Sequence, residues 1–132
     1  MPVELEMVLR ILLAMALGAI IGFQRGKAEK PAGMRDLILI SAGSALFTVV
    51  SIYGFGADPA RVAAGIVTGI GFLGAGAIIR RGEGGVVKGL TTAATIWITA
   101  GIGLAAGAGM YIIAAVATFL VLVVLLLPHR IA

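Results

Sequence analysis

The residues of this chain that could carry chemistry are few and far apart. His129 is the only histidine and there are no cysteines, so a histidine-based metal site or a catalytic triad has nothing to build on. The six acidic residues form no carboxylate pair within an apolar segment. We therefore expect no catalytic constellation, no enzyme activity and no cofactor.

The segment Gly69-Ile-Gly-Phe-Leu-Gly74 matches the glycine fingerprint of dinucleotide-binding folds. That fingerprint requires a preceding strand, a following amphipathic helix and an acidic residue about 20 positions further on. None of these accompanies the match, which lies inside an apolar run. The remaining interpretations are close packing between membrane helices and a helix that is locally unwound. We favour helix packing.

Two pairs of opposite charges stand at helical spacing. Glu6 precedes Arg10 by four residues, an order that favours an ion pair on a helix. Asp58 and Arg61 form a similar pair, and Asp58 followed by Pro59 is typical of a helix cap and first turn. Asp58 is also the single candidate for a metal ligand, since a ring of these carboxylates in an oligomer could attract cations.

The segments that position these residues are too apolar for a water-soluble domain. Of 132 residues, 61% are hydrophobic and 12% are charged, whereas soluble domains carry roughly 25% charged residues. A spanning helix needs about 20 mostly apolar residues, and the predicted spans are 5–23, 37–54, 62–79, 90–106 and 110–127. Gly107-Ala108-Gly109 is the predicted turn between the last two. We expect one all-α domain over residues 1–132, a polytopic membrane helix bundle of about five transmembrane helices.

The basic residues indicate the orientation of this bundle. A net charge of +4 would also suit nucleic acid, but nucleic-acid binding needs basic residues on one face, and here they stand between apolar runs. All of them except Arg10 and Arg61 follow spans one, three and five. The positive-inside rule then places the C-terminus in the cytoplasm and the N-terminus outside. Tyr53 and Tyr111 both fall at the outer interface, and we expect no binding of nucleic acid.

The segment Gln24–Asp36 is the most polar part of the chain and is predicted to form a cytoplasmic loop. Its residues Arg25, Lys30 and Arg35 could bind anionic lipid or an acidic partner. Topology alone explains their charge equally well, so both interpretations stay open.

Small residues recur at spacings that let membrane helices approach closely. The predicted surfaces for helix packing or for a partner consist of Gly18, Gly22, Gly65, Gly69, Gly71, Gly74, Gly76, Thr91, Thr95, Thr99 and Gly103. A stripe of hydroxyls on span two could line a polar pathway, but bonds to carbonyls of the same or a neighbouring helix are favoured. We expect packing through Gly, Ala, Ser and Thr faces, and a homo-oligomer with a dimer favoured.

Five stretches in the same order and spacing resemble the MgtC/SapB family of bacterial membrane proteins. They are Gly18-Ala-Ile-Ile-Gly22 with Gln24-Arg25, Lys30-Pro-Ala-Gly-Met-Arg35, Asp58-Pro-Ala-Arg61, Gly69-Ile-Gly-Phe-Leu-Gly-Ala-Gly76 and Gly89-Leu-Thr-Thr-Ala-Ala-Thr-Ile-Trp97. The resemblance implies several helices in the bacterial cytoplasmic (inner) membrane, a link to growth at low magnesium and, in pathogens, survival inside macrophages. It also implies restraint of the proton-translocating ATP synthase, and magnesium transport is a second activity proposed for the family.

The chain departs from the family pattern in two respects. Longer members carry a soluble domain after the last helix, whereas this chain ends at Ala132, and we expect it to lack the functions of that domain. The family often has Glu-Arg where this chain has Gln24-Arg25, so any contact made by that carboxylate is in doubt.

The positions of the acidic residues distinguish transport from regulation. Mg²⁺ dehydrates reluctantly and is usually held through carboxylates, yet no acidic residue is predicted at mid-membrane, where transporters place functional charges. Small-residue helix faces and a basic cytoplasmic rim suit a regulator that docks on another membrane protein. We therefore expect a non-enzymatic regulator that contacts a membrane partner such as the ATP synthase through Gly65, Gly69 and the stripe from Thr91 to Gly107.

Overall fold

The computed structural model of the chain describes residues 3–55, 58–80 and 87–128. These residues form five α-helices: α1 (Val3–Lys27), α2 (Met34–Gly54), α3 (Pro59–Ala77), α4 (Leu90–Gly107) and α5 (Tyr111–Leu125). A hairpin of two short strands, β1 (Ile79–Arg80) and β2 (Val87–Lys88), stands between α3 and α4, with Ile79 opposite Lys88. The predicted polytopic helix bundle is confirmed.

The helices follow the predicted spans closely, with differences at their ends. α1 continues to Lys27 instead of ending near Phe23, since the basic residues of its last turn complement the negative C-terminal end of the helix dipole. α3 ends at Ala77, two residues before the predicted end of the span, because the backbone becomes extended at Ile78 and enters the hairpin. α3 is continuous through Gly69–Gly74, so no local break interrupts it.

Four helices, α1 to α4, are long and apolar enough to cross a membrane within the described part of the chain. α5 is apolar but has 15 residues, which corresponds to a rise of about 22 Å, less than the roughly 30 Å of the hydrocarbon core. The turn between α4 and α5 falls at Ala108 and Gly109, as predicted, and Gly109 adopts a φ of 84° that favours glycine.

The start of α3 confirms the predicted position of Asp58 but not a capping bond. Asp58 is the N-cap residue and Pro59 occupies the first turn, yet the Asp58 side chain accepts no capping hydrogen bond. A carboxylate oxygen instead lies 3.6 Å from Nε of Arg61, and both side chains are exposed.

α4 is the central helix of the bundle and contacts each of the other four. Half of the residues in its most apolar stretch are buried, whereas 6% of the residues in the corresponding stretch of α3 are buried. α1 and α2 form the most extensive helix pair, whereas α3 contacts α4 more than it contacts α2. One face of α3 is therefore left open.

Candidate functional site

The small residues predicted to form helix surfaces fall into two groups. Gly18, Gly22 and Gly103 lie so close to α2 that a Cβ atom at any of them would approach a backbone atom of that helix within 3.0 Å. Gly74 makes ordinary contact with Ala93, whose carbonyl oxygen would lie 3.6 Å from an added Cβ. These glycines pack helices within the chain.

The second group of glycines lies at exposed positions of α3. A Cβ atom would find nothing within 4 Å at Gly65, Gly69, Gly71 or Gly76, and all four are exposed. Within the described chain they do not pack helices together. Gly65, Gly69 and Gly76 share one face of α3 by their spacing, and that face is open to lipid or to another protein.

Part of this open face borders an apolar groove of about 670 Å³ between α2 and α3. Three glycines without side chains line it, Gly43 of α2 and Gly65 and Gly69 of α3. The large side chains of Phe47 and Leu73 flank it. Its walls offer depressions of the kind into which bulky side chains of another helix can pack.

The hydroxyl stripe of α2 bonds to carbonyls, as the packing interpretation requires. Ser41 donates a hydrogen bond to the carbonyl of Ala14 on α1 at 2.7 Å, and Ser44 donates one to the carbonyl of Ala100 on α4 at 2.6 Å. Thr48 bonds within its own helix, to the Ser44 carbonyl. Ser51 is buried without a hydrogen-bond partner in the structure.

The predicted stripe on α4 is only partly buried. Thr91 is exposed, and its carbonyl accepts a hydrogen bond from the buried Thr95 at 2.8 Å. Thr99 is fully buried and its hydroxyl has no partner in the structure. The stripe thus contributes mainly to the interior of the bundle, and its outer end at Thr91 faces away from it.

Arg10 organises one end of the bundle. Its guanidinium is 2.6 Å from the carboxylate of Glu6 and donates further hydrogen bonds to the hydroxyl of Tyr111 and the carbonyl of Gly107. It also lies 5.3 Å from the ring centre of Tyr53, within the range of a cation–π contact. This cluster joins α1, α2, the end of α4 and the start of α5, and it places both tyrosines at the same end of the bundle.

Arg25 organises the opposite end, and here the prediction of a loop residue is wrong. It lies in the last turn of α1 and is 2% exposed. It donates two hydrogen bonds to the Pro31 carbonyl and one to the hydroxyl of Thr92 on α4. The spacing could have predicted this burial, because positions 18, 22 and 25 share one face of a helix and the first two are small residues of a packed face.

The remaining predicted contact residues are exposed or lie outside the described residues. Lys30 lies in the turn before α2, and Arg35 lies in the first turn of α2, and both face outward. Arg81, Glu83, His129 and Arg130 fall outside the described residues. Around Asp58 the described part of the chain offers no group of three or more His, Cys, Asp or Glu side chains that could hold a metal ion.

Comparison with known proteins places this architecture in one family. The model of the MgtC family matches residues 11–132. The chain is 44% identical to YhiD of Escherichia coli K12, which is named as a candidate magnesium transporter, over 95% of this chain and 61% of that protein. It is 47% identical to the protein MgtC of Salmonella typhimurium LT2 over 87% of this chain and 49% of that protein.

The chain spans about half to three-fifths of the length of these relatives. No solved structure matches it. The family match nonetheless covers α1 from Ile11 onward and all of α2 to α5, including the cluster around Arg25 and the open face of α3, whereas Arg10 and Glu6 precede it. This multi-pass membrane protein belongs to the MgtC family.

Proposed function

We propose that the chain is a non-enzymatic regulator that binds a membrane protein partner through the open face of α3. The observation that supports the proposal is the contrast between its two groups of glycines. Gly18, Gly22 and Gly103 are covered by helices of the same chain, whereas a Cβ atom added at Gly65 or Gly69 would meet no described atom outside its own stretch of helix within 4 Å. Membrane helices associate where small residues allow close backbone approach, so an uncovered small-residue face suits a second protein.

The partner class that we propose is a membrane-embedded one, with the proton-translocating ATP synthase as the first to test. The family resemblance supports this choice, together with the proposed roles in growth at low magnesium and in intracellular survival. Self-association through the same face, as a homodimer, is the competing use of the groove.

Substitution of Gly69 by leucine tests the surface. The added side chain would fill the groove between α2 and α3 without meeting an atom of the chain at its Cβ, so the fold should survive and association should be lost. Gly101→Leu is the matched control, because Gly101 is exposed on α4 and does not line the groove. Co-purification of ATP synthase from membranes, and energy transfer between labelled copies in liposomes, measure the two kinds of association. Native affinity of Gly69→Leu for both would show that the proposed surface is wrong.

We further propose that the protein resides in the bacterial inner membrane with its N-terminus outside and its C-terminus in the cytoplasm. Exposed Lys30 and Arg35 at one end of the bundle support this orientation through the positive-inside rule. Because the chain has no cysteine, Lys30→Cys and Met110→Cys can report it. An impermeant thiol reagent should label position 110 in intact cells and position 30 only after the cells are opened. The reverse pattern would contradict the proposal.

Transport of magnesium or another cation is the alternative, and the name given to YhiD supports it. Flux of Mg²⁺ into liposomes that contain the folded protein and an internal indicator dye separates the two functions. The regulator proposal predicts no uptake above that of empty vesicles, alongside a working channel as a control. Uptake that disappears in Asp58→Ala would establish a cation pathway with an outer carboxylate and would overturn the regulator proposal.

A further inference from the structure

A second groove continues the apolar groove between α2 and α3 along the same helix. The first, of about 670 Å³, is lined by α3 residues from Val62 to Leu73. The second, of about 710 Å³, is lined by α3 residues from Phe72 to Ala77, and Leu73 lines both. From Val62 to Ala77 the helix rises by about 22 Å, so the two grooves together follow α3 for most of its length.

α2 contributes to the wall that faces α3 in both grooves. Leu39, Gly43 and Phe47 line the first groove, and Asp36, about one turn before Leu39, lines the second. α3 packs mainly against α4 and contacts α2 less. The two grooves together therefore form an elongated groove between α2 and α3 that is long enough for about four turns of another helix.

The lining of this elongated groove is apolar except near one end. Among the described residues that line it, Asp36 is the one with a charged side chain, and it is exposed in the first turn of α2. Ser44 also lines the groove, but its hydroxyl donates a hydrogen bond to the Ala100 carbonyl. The hydroxyl of Thr92 accepts one from Arg25. The groove therefore suits an occupant that is apolar along its length and positively charged at the Asp36 end.

This charge distinguishes a helix from a phospholipid as the occupant. A lipid phosphate beside Asp36 would meet a charge of its own sign, which is unfavourable. Membrane proteins, in contrast, carry Lys and Arg at the cytoplasmic ends of their helices. Asp36 lies at the end of the bundle where Lys30 and Arg35 are exposed, which the proposed orientation places in the cytoplasm. Neither of these two basic residues is among those that line the groove.

We propose that one transmembrane helix of the partner lies lengthwise in this groove, with a Lys or Arg at its cytoplasmic end paired with Asp36. The inference rests on the proposed function, because it identifies the segment of the partner that the open face of α3 receives. Gly43 on one wall, with Gly65 and Gly69 on the other, allows the backbone of that helix to approach closely. Asp36 then determines the direction in which the helix lies.

Energy transfer from Trp97, the single tryptophan, to labelled peptides in phosphatidylcholine liposomes tests the proposal. The peptides share an apolar Leu/Ala core of about 20 residues, and one is flanked by lysines and the other by glutamines. The lysine peptide should bind about threefold or more tightly than the glutamine peptide, as expected for an exposed ion pair. Asp36→Asn should remove this difference. Asp36→Lys should reverse it, in favour of a third peptide flanked by glutamates.

Asp58→Asn is the matched control for the charge. Asp58 is an exposed carboxylate at the opposite end of α3 and is not among the residues that line the groove, so its removal should leave the preference for lysine intact. A loss as large as that in Asp36→Asn would mean diffuse attraction between charges and would overturn the proposal.

Gly43→Leu tests whether the helix lies between α2 and α3. Gly43 and Gly69 belong to different walls of the groove, so leucine at either position should block both peptides. Binding that is lost only in Gly69→Leu would mean a partner on α3 alone, which overturns the inference and leaves the proposed function standing. Where Gly43→Leu fails to fold, the two substitutions at the exposed position 36 decide.

The remaining outcomes identify other occupants. Equal affinity for the lysine and glutamine peptides would remove Asp36 from the site and overturn the inference. Binding that is unchanged in both glycine variants would mean that lipid fills the groove, and binding that weakens as the ratio of protein to lipid rises would mean a second copy of the chain; either result overturns it. Failure of the proposed function is seen separately, as native affinity of Gly69→Leu for the ATP synthase.

Discussion

Gly103 of α4 rests directly on the backbone of Ser41 in α2. A Cβ atom at position 103 would come within 3.0 Å of both the carbonyl oxygen and the Cα atom of Ser41. On its other side, Ser41 packs against Gly18 of α1 and donates a hydrogen bond to the Ala14 carbonyl. α2 thus packs between two glycines from different helices, and these two close contacts fix the spacing of α1, α2 and α4.

The first prediction concerns this close approach. Gly103→Ala should lower the free energy of unfolding by about 1–3 kcal/mol, because the backbone of Ser41 must move to admit the methyl group. Gly101→Ala, two residues away on the exposed face, should leave it unchanged or slightly raise it, since alanine favours helix more than glycine does. Unfolding in mixed micelles of increasing denaturing detergent measures both. Equal effects at the two positions would contradict the packing described here.

The second prediction compares two buried hydroxyls of the same helix. Ser41→Ala should cost about 0.6 kcal/mol of unfolding free energy, the average for interhelical hydrogen bonds in membranes, because it removes the bond to Ala14. Ser51→Ala should be neutral or stabilising, because the Ser51 hydroxyl is buried without a partner. The same micelle titration ranks the two variants. A larger cost at Ser51 would show that its hydroxyl has an acceptor or a water that stabilises the fold.

The third prediction concerns the polar cluster around Arg10. Arg10→Gln should lower the free energy of unfolding by about 1.5–3 kcal/mol, because it removes charged hydrogen bonds to Glu6 and Gly107. Tyr111→Phe removes only the hydroxyl that bonds to Arg10 and Glu6, and should cost about 0.5–1.5 kcal/mol. Hydrogen exchange at the start of α5 should report the loosening, and no change in either variant would mean that the cluster does not hold α5.

The fourth prediction concerns the entry to α4. Gly89 has a φ of 90°, and a Cβ atom there would collide with the carbonyl oxygen of Ala77. Gly89→Ala should therefore cost at least about 1–2 kcal/mol from the left-handed backbone alone. Gly76→Ala is the matched control, because an added Cβ there would meet nothing within 4 Å, and it should be neutral or slightly stabilising. A thermal midpoint of Gly89→Ala equal to that of the control would contradict the conformation described for this junction.

Much of the fold was predictable because apolar length and turn residues are local properties of the sequence. The four long helices and the turn at Ala108 and Gly109 needed only those properties. The burial of Arg25 was not predicted, because its charge alone suggested a position in a solvent-exposed loop. The helical face to which Arg25 belongs must be considered before its charge. The same face contains Gly18 and Gly22, which pack against α2.

The two roles of glycine could not be separated from the sequence. Gly69 and Gly103 both belong to small-residue patterns within apolar helices. Spacing alone therefore predicts the same helix-packing role for both. Their environments differ because α2 covers Gly103, whereas none of the described helices covers Gly69. The tertiary arrangement decides which helix covers which face. The open face of α3 could therefore be identified only from the structure.

The contact pattern of α3 also constrains how the protein is made. α1 and α2 are consecutive and form the most extensive pair, so they can associate as soon as both have left the ribosome. α3 emerges next, but its main partner is α4, which has not yet been synthesised. Until α4 is made, α3 therefore has only its smaller contact with α2, and the bundle is complete only after α4 has packed against it.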